Sequence, residues 1–355
     1  MQFTVKTSKS TTGLLMVFLL FSLVIINSCG QSNTKSVDSG EKSASGFWPE
    51  SVNITGAIDS LGVAELSGLH WNPDLNRLYA ISDDGNLFVL QFNAEKKAFT
   101  LIGSLHELGG PEGVTQVDYK ANEFYTIDET HYEIRRFTYN SDFSKHTLVH
   151  KWNLLADCSG MVNTGNDGPE GIVFVPDRYL ADVGFKSSET DEVYTSKKGM
   201  GGLIFIAHQK KGLIWVFDVN PDKDDDFAFV GKYKTGHDES CDLAFDRSTG
   251  LLYILHNTDG NSIEVTDMSS KQHKGKGRFI IKNEYPVPNP AGGNDNIEGF
   301  AITPKFADPK HVSVWFCRDI NGKINNHKNL RERKDCLRWF MPIAAEGNQI
   351  KGWNK

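Results

Sequence analysis

The chain has 355 residues, with 38 Lys and Arg against 45 Asp and Glu, and a net charge of −7. An acidic, aromatic-containing chain lacks the basic surface that holds a phosphate backbone, which excludes nucleic acid as a partner. Its length exceeds that of an ordinary domain, but a closed β-architecture reaches this size as one unit.

The first residues carry Lys6 and Lys9 and no acids, and an apolar run follows from Leu14 to Ile26. Thirteen residues are too few to span a bilayer core, which needs roughly 20. A basic start and a short apolar stretch describe a secretory leader, residues 1–28. The cut region Ile26-Asn27-Ser28-Cys29-Gly30 resembles the lipobox of bacterial lipoproteins, with Asn27 departing from the usual small apolar residue. That resemblance implies export, lipid on Cys29, and attachment to the cell envelope on the periplasmic side or the cell surface. Loss of the leader moves the net charge from −7 to −9. Residues 29–46 are Ser-, Gly- and Lys-rich with few apolar side chains, so they read as a flexible tether. Residues 47–355 form the remaining domain.

Within it a polar-small pair opening a short apolar strand recurs: Ser67-Gly68-Leu69, Glu112-Gly113-Val114, Glu170-Gly171-Ile172, Cys241-Asp242-Leu243 and Glu298-Gly299-Phe300. The steps are 45, 58, 71 and 57 residues. Repeats at such intervals mark a repeat architecture. After the first opening come strand signals at Arg77–Ser82, Asn86–Gln91 and Ala98–Ser104. The second is followed by Glu123–Ile127, Tyr132–Tyr139 and Thr147–Leu154, and the third by Leu203–Ala207, Leu213–Val219 and Phe227–Tyr233. The fourth is followed by Leu251–Leu255, Ser262–Asp267 and Arg278–Tyr285. The fifth supplies Gly299–Thr303, His311–Cys317 and Cys336–Phe340 only. An N-terminal strand over Ser51–Ile58 fills the missing place and closes the ring. The expected fold is all-β, a five-bladed β-propeller, with six blades the alternative because the 71-residue step has room for extra strands.

In that fold the start of strand one and the end of strand two share a face. Ser67, Glu112, Glu170, Cys241 and Glu298 then gather at the tunnel mouth. Asp83-Asp84, Asp128-Glu129, His208-Gln209, His256-Asn257 and Arg318-Asp319 surround them as a ligand face. Carboxylates around one axis repel unless a cation or shared protons intervene. Oxygen donors of this kind suit calcium, with Ser67, Glu112, Glu170 and Glu298 as the expected ligands. The other reading makes Glu-Gly a turn into strand one, with Gly supplying an unusual backbone angle. No Gly-x-Ser-x-Gly elbow is present, and no CxxC or paired-His spacing marks zinc. Asp222–Asp226 reads as a solvated turn on the opposite face. Beyond Cys29 four cysteines remain, and an even number in an exported chain favours two disulfides. The preferred pairing is Cys158 with Cys241 and Cys317 with Cys336, the second bracketing a basic loop, Ile320–Asp335.

The openings, together with Leu69-His70-Trp71-Asn72-Pro73, Leu78-Tyr79-Ala80-Ile81-Ser82-Asp83 and Asn296-Ile297-Glu298-Gly299-Phe300, resemble the SdiA-regulated family of bacterial propellers. Glu170-Gly171-Ile172-Val173-Phe174-Val175-Pro176-Asp177 is similar to phytase-like esterase propellers. The order Ser67, Glu112, Glu170, Cys241, Glu298 is also similar to the tunnel set Ser, Glu, Glu, Ser, Glu of five-bladed calcium-dependent apyrases, with Cys241 departing at the fourth place. The apyrase nucleotide-binding stretches are missing, so that activity does not follow. The SdiA-regulated resemblance implies an exported propeller of undefined biochemical role. The lipid anchor, the tether and the lack of a recognisable catalytic constellation point to a binding or scaffolding module for a small anionic ligand or a protein partner, with calcium in its tunnel. The alternative is a metal-dependent phosphoesterase or esterase using His208, His256 and Arg318 beside the carboxylates.

Overall fold

Apolar strand segments separated by turn residues fold into antiparallel sheets, and nearly all the regular structure is of this kind. The computed structural model describes residues 48, 50–58, 65–93, 95–96, 98–257, 261–273, 276–287, 296–319, 336–346 and 349–350. The leader 1–28, the tether 29–46 with Cys29, and the loop Ile320–Asp335 lie outside the described residues.

The N-terminal strand is β1 (Ser51–Asn53). One four-stranded sheet contains, in order, β2 (Leu66–Asn72), β3 (Arg77–Ser82), β4 (Asn86–Asn93) and β5 (Ala98–Leu105). The next contains β6 (Pro111–Thr115), β7 (Glu123–Asp128), β8 (Glu133–Tyr139) and β9 (His146–Asn153). Two further runs follow in the chain. The first is β10 (Pro169–Pro176), β11 (Gly202–His208), β12 (Leu213–Val219) and β13 (Phe227–Lys234). The second is β14 (Asp242–Asp246), β15 (Leu251–His256), β16 (Ser262–His273) and β17 (Lys276–Pro286). They join into one eight-stranded sheet through a short parallel contact, Tyr233 opposite Gly277 and Lys234 opposite Arg278. The last sheet holds β18 (Ile297–Ile302), β19 (His311–Arg318) and β20 (Leu337–Glu346), with β21 (Gln349–Ile350) beside β20. Its outer place is taken by β1, pairing Ser51, Val52 and Asn53 with Phe340, Trp339 and Arg338. The chain start thus completes the sheet made by the chain end.

Innermost strands are buried on both faces, and outermost strands alternate. β10 is buried along almost its whole length, whereas β5 alternates exposed and half-buried residues. Aromatic stacks fill the wedges between sheets, as where Trp71 of β2 lies 4.5 Å from Trp315 of β19, nearly parallel.

Glycine sets how closely the innermost strands approach. A Cβ on Gly68 would lie 2.5 Å from the Glu112 carbonyl oxygen, and one on Gly113 would lie 2.6 Å from that of Glu170. One on Gly171 would meet Asp242 Cα at 2.6 Å, and one on Gly299 would meet Gly68 Cα at 3.1 Å. Each innermost strand therefore packs backbone to backbone on the next, around one axis. This is a β-propeller. None of these four glycines has the left-handed backbone that the alternative turn reading needed; their role is close approach.

Asp242 replaces glycine in the fourth copy, and its carboxylate fills the centre. It is buried, and it accepts hydrogen bonds from the amides of Phe300 (2.8 Å), Leu243 (2.7 Å) and Leu69 (3.4 Å). Three innermost strands are tied by one side chain.

Several expectations need correction. The N-terminal strand ends at Asn53, because Asn53 Oδ1 accepts the Thr55 amide and starts a 3-10 turn over Thr55–Ala57. The long segment after β10 holds a short helix, α1 (Asp177–Asp182), that buries only Leu180 and so leaves no periodic trace in the sequence. The Asp222–Asp226 turn is docked: the Asp224 and Asp225 carboxylates accept the Lys151 and Asn153 amides at the edge of β9. Neither expected disulfide, Cys158 with Cys241 or Cys317 with Cys336, is formed. Cys158 is exposed, whereas the buried Cys241 thiol turns towards the carbonyls of Leu255 and Ile297.

Candidate functional site

The acids that open the innermost strands sit in β-bulges. Pro111 pairs with Asp128 and Gly113 with Ile127, which leaves Glu112 as an extra residue. The same shift leaves Ser67 over between Leu66 and Gly68, and Glu298 over between Ile297 and Gly299. A further shift falls between Pro169 and Ile172, around Glu170. A bulge re-aims the side chain it carries. Here it turns the glutamates out of the sheet ladder towards one another.

Their electrostatics show the convergence. Burial pushes the Glu112 carboxyl up to about 8; a hydrogen bond from Ser67 opposes this, while Asp83, Glu129 and Asp319 add to it. Glu170 is held well above the ordinary range by burial, then by the charges of Glu112, Glu298, Glu129 and Glu239. Glu298 is raised by burial and by Asp319, Glu112 and Asp83. Asp83 is pushed up to about 7 by burial and by Glu65, Asp84 and Asp319, and Asp319 to about 6 by burial and Glu65. Acids raise one another throughout this mouth.

The flanking pairs separate by strand alternation. Glu129 and Asp319, the second members of their pairs, and Asp83, the first of its own, all act on the bulge glutamates. Glu129 also accepts the Gly168 amide at 3.0 Å. Asn257 donates to Asn296, which donates in turn to Asp319 at 2.9 Å. Asp128 and Arg318, the first members of their pairs, are packed into the sheets. Asp128 is buried in an ion pair with Arg135 and accepts the amides of Gly110 and His131. Arg318 is buried opposite Ile297, its amide donating to the Cys336 carbonyl.

The two histidines do not join the glutamates. His208 Nδ1 accepts the Lys210 amide at 3.1 Å, and burial with the Lys210 charge lowers its pKa to about 4, which keeps it neutral. His256 is wholly buried and contacts Glu264 and the Glu239 carbonyl. Asp84 is exposed.

The residues fit a hard cation in part. Oδ1 of Asp83 and Oδ1 of Asp319 are buried without a hydrogen-bond donor among the described residues. Carboxylate oxygens of Glu65, Asp83 and Asp84 lie within 4.8 Å of one another, a spread that one ion can bridge. Glu112, Glu170 and Glu298 do not form such a group among the described residues. Sequence reasoning missed Glu65, which stands outside the repeated opening and has a left-handed backbone, φ 62°.

No protein-family model matches the sequence, and no curated protein does. Among solved structures the chain is similar to one in a nidogen/laminin complex, at 14% identity over 77% of this chain and 82% of that one, TM-score 0.37. It is similar to hydrazine synthase of Kuenenia stuttgartiensis at 12% identity, covering 82% of this chain and 68% of that one, TM-score 0.38. Sqt1 of Saccharomyces cerevisiae gives 9% identity over 72% and 71%, TM-score 0.35.

Proposed function

We propose that the chain is an exported, lipid-anchored binding propeller whose acidic mouth holds a hard divalent cation, calcium foremost. Cys29 would carry the lipid and residues 29–46 would set the reach of the domain from the membrane. The ring is read as five-bladed: the parallel contact between β13 and β17 spans two residue pairs, so the eight-stranded sheet divides into two blades touching at their outer edges. This reading keeps the chain with the SdiA-regulated and phytase-like propellers that its strand openings resemble.

The observation that carries the cation is the pair of buried carboxylate oxygens on Asp83 and Asp319 that lack donors among the described residues. A buried polar atom without a partner costs about 1–3 kcal/mol, and a cation removes that cost for several oxygens at once. Calcium accepts roughly six to eight oxygen ligands. Asp83 is the common member, grouped with Glu65 and Asp84 and acting on Glu112 and Glu298. Ser67, Glu112, Glu170 and Glu298 supply the inner oxygens, and a bound ion would present open coordination positions to an anionic ligand.

Equilibrium dialysis of the purified full chain against calcium tests this. Saturable calcium binding that Asp83→Asn and Glu112→Gln weaken is the expected result. Failure of the wild-type chain to take up calcium overturns it.

A further inference from the structure

We infer that His237, His256 and Glu264 form a second metal site, built for a zinc-class transition ion. It is independent of the cation reading of the mouth. A ring nitrogen from each histidine and a carboxylate oxygen of Glu264 all lie within 4.8 Å of one another. Three separate segments bring them together: His256 ends β15, Glu264 lies on β16, and His237 lies between β13 and β14.

Hydrogen-bond direction makes the case at His256. Its Nδ1 is 2.6 Å from the Glu239 carbonyl oxygen, which only accepts, so Nδ1 carries the proton. The neutral ring then presents the lone pair of Nε2, and Glu264 Oε2 faces that lone pair at 3.2 Å. Two acceptors facing each other in a buried site need a positive species between or upon them. Glu264 Oε2 is itself fixed by the Gly236 amide at 2.9 Å. A histidine donating its far N–H to a main-chain carbonyl while its near nitrogen faces an acid is the arrangement that orients metal ligands.

The second imidazole supplies a further nitrogen donor that a single proton has no use for. The His237 ring lies 4.5 Å from the His256 ring, and its donor atom is within reach of the same ion. His237 Nε2 is 2.8 Å from Glu284 Oε1, which puts another carboxylate beside the cluster as a fourth ligand or as a hydrogen-bond partner. Two neutral imidazoles and two carboxylates around one divalent ion carry no net charge. Zinc bonds of about 2.0–2.2 Å set tetrahedral ligand atoms about 3.4 Å apart, close to the 3.2 Å seen between His256 and Glu264. Nitrogen donors select zinc, copper or nickel over calcium and magnesium.

The test uses the untagged full chain, stripped with chelator and titrated with zinc alone, then with cobalt(II). Expected is one zinc per chain and the visible spectrum of a tetrahedral cobalt site. His237→Ala and Glu264→Gln should each weaken zinc by at least about 100-fold and lose that spectrum while circular dichroism stays native. His256→Ala is set aside because that ring is fully buried. Asp83→Asn, altered at the mouth, should keep wild-type zinc affinity. Absence of zinc binding, wild-type affinity in both site variants, or loss of zinc in Asp83→Asn would each overturn the assignment.

Discussion

Four of the innermost strands, β2, β6, β10 and β18, open with a bulge and a glycine, whereas β14 opens with Cys241 and Asp242 and pairs in regular register from Asp242 onward. In the four, glycine lets backbones touch and the bulge turns Ser67 or a glutamate to the mouth. In β14 the Asp242 side chain occupies the space that glycine leaves elsewhere and bonds to the amides of two other innermost strands. One repeated motif thus holds two jobs, packing at its second position and a charged site at its first. The copy that departs from the pattern ties the centre.

The largest effect should follow from removing that tie. Asp242→Ala strands the buried amides of Phe300, Leu243 and Leu69, at a cost of about 3 kcal/mol or more. Asp242→Asn keeps one acceptor oxygen and should cost less. Chemical denaturation measures both, and equal losses would contradict a hydrogen-bonding role.

Next comes the glycine contact. Gly113→Ala puts a Cβ 2.6 Å from the Glu170 oxygen, an overpacking worth about 1–3 kcal/mol. Gly56→Ala, with nothing within 4 Å of its Cβ, serves as the control and should change little. Equal stability of the two variants would deny that glycine sets the ring's closeness.

The mouth acids predict a smaller, graded effect. In the folded cation-free chain Glu112 holds its proton up to about pH 8, against 4.5 as its ordinary value. Asp83 and Asp319 hold theirs up to about 7 and 6, against 3.8. The folded state therefore binds more protons than the unfolded one over this window, so stability falls as pH rises from about 4 to 8. Thermal unfolding of chelated protein at stepped pH checks the sign, and a melting temperature that climbs through this window would contradict it.

Much of the ring was legible in the sequence. Arg77–Ser82 and Leu213–Val219 are the observed bounds of β3 and β12, because apolar runs bounded by turn residues fix those ends. The N-terminal strand that completes the last sheet was legible from the missing fourth strand there. Other features depend on distant contacts. Asp242 looks like a variant residue until Phe300 and Leu69 are packed against it. His237, His256 and Glu264 are 19 and 8 residues apart, spacings that carry no metal signal until β15 and β16 pair. Counting cysteines implied bridges, but Cys241 is turned into the wedge beside Ile297, away from the surface where Cys158 lies. Strand alternation also split a residue pair that had been placed on one face together, sending Glu129 to the mouth and Asp128 to an ion pair with Arg135.

The most direct measurement of the central claim is the melting temperature of the full chain with calcium in excess and with chelator, alongside Glu170→Gln. Calcium should raise the wild-type melting temperature, by an amount set by about 2.7 kcal/mol when free ion exceeds the dissociation constant a hundredfold. Glu170→Gln removes one carboxylate that the ion would otherwise bind and should blunt that rise. If chelated and calcium-saturated wild type melt together, and no calcium stays with the purified protein, the acids hold no cation and the account of the mouth is wrong.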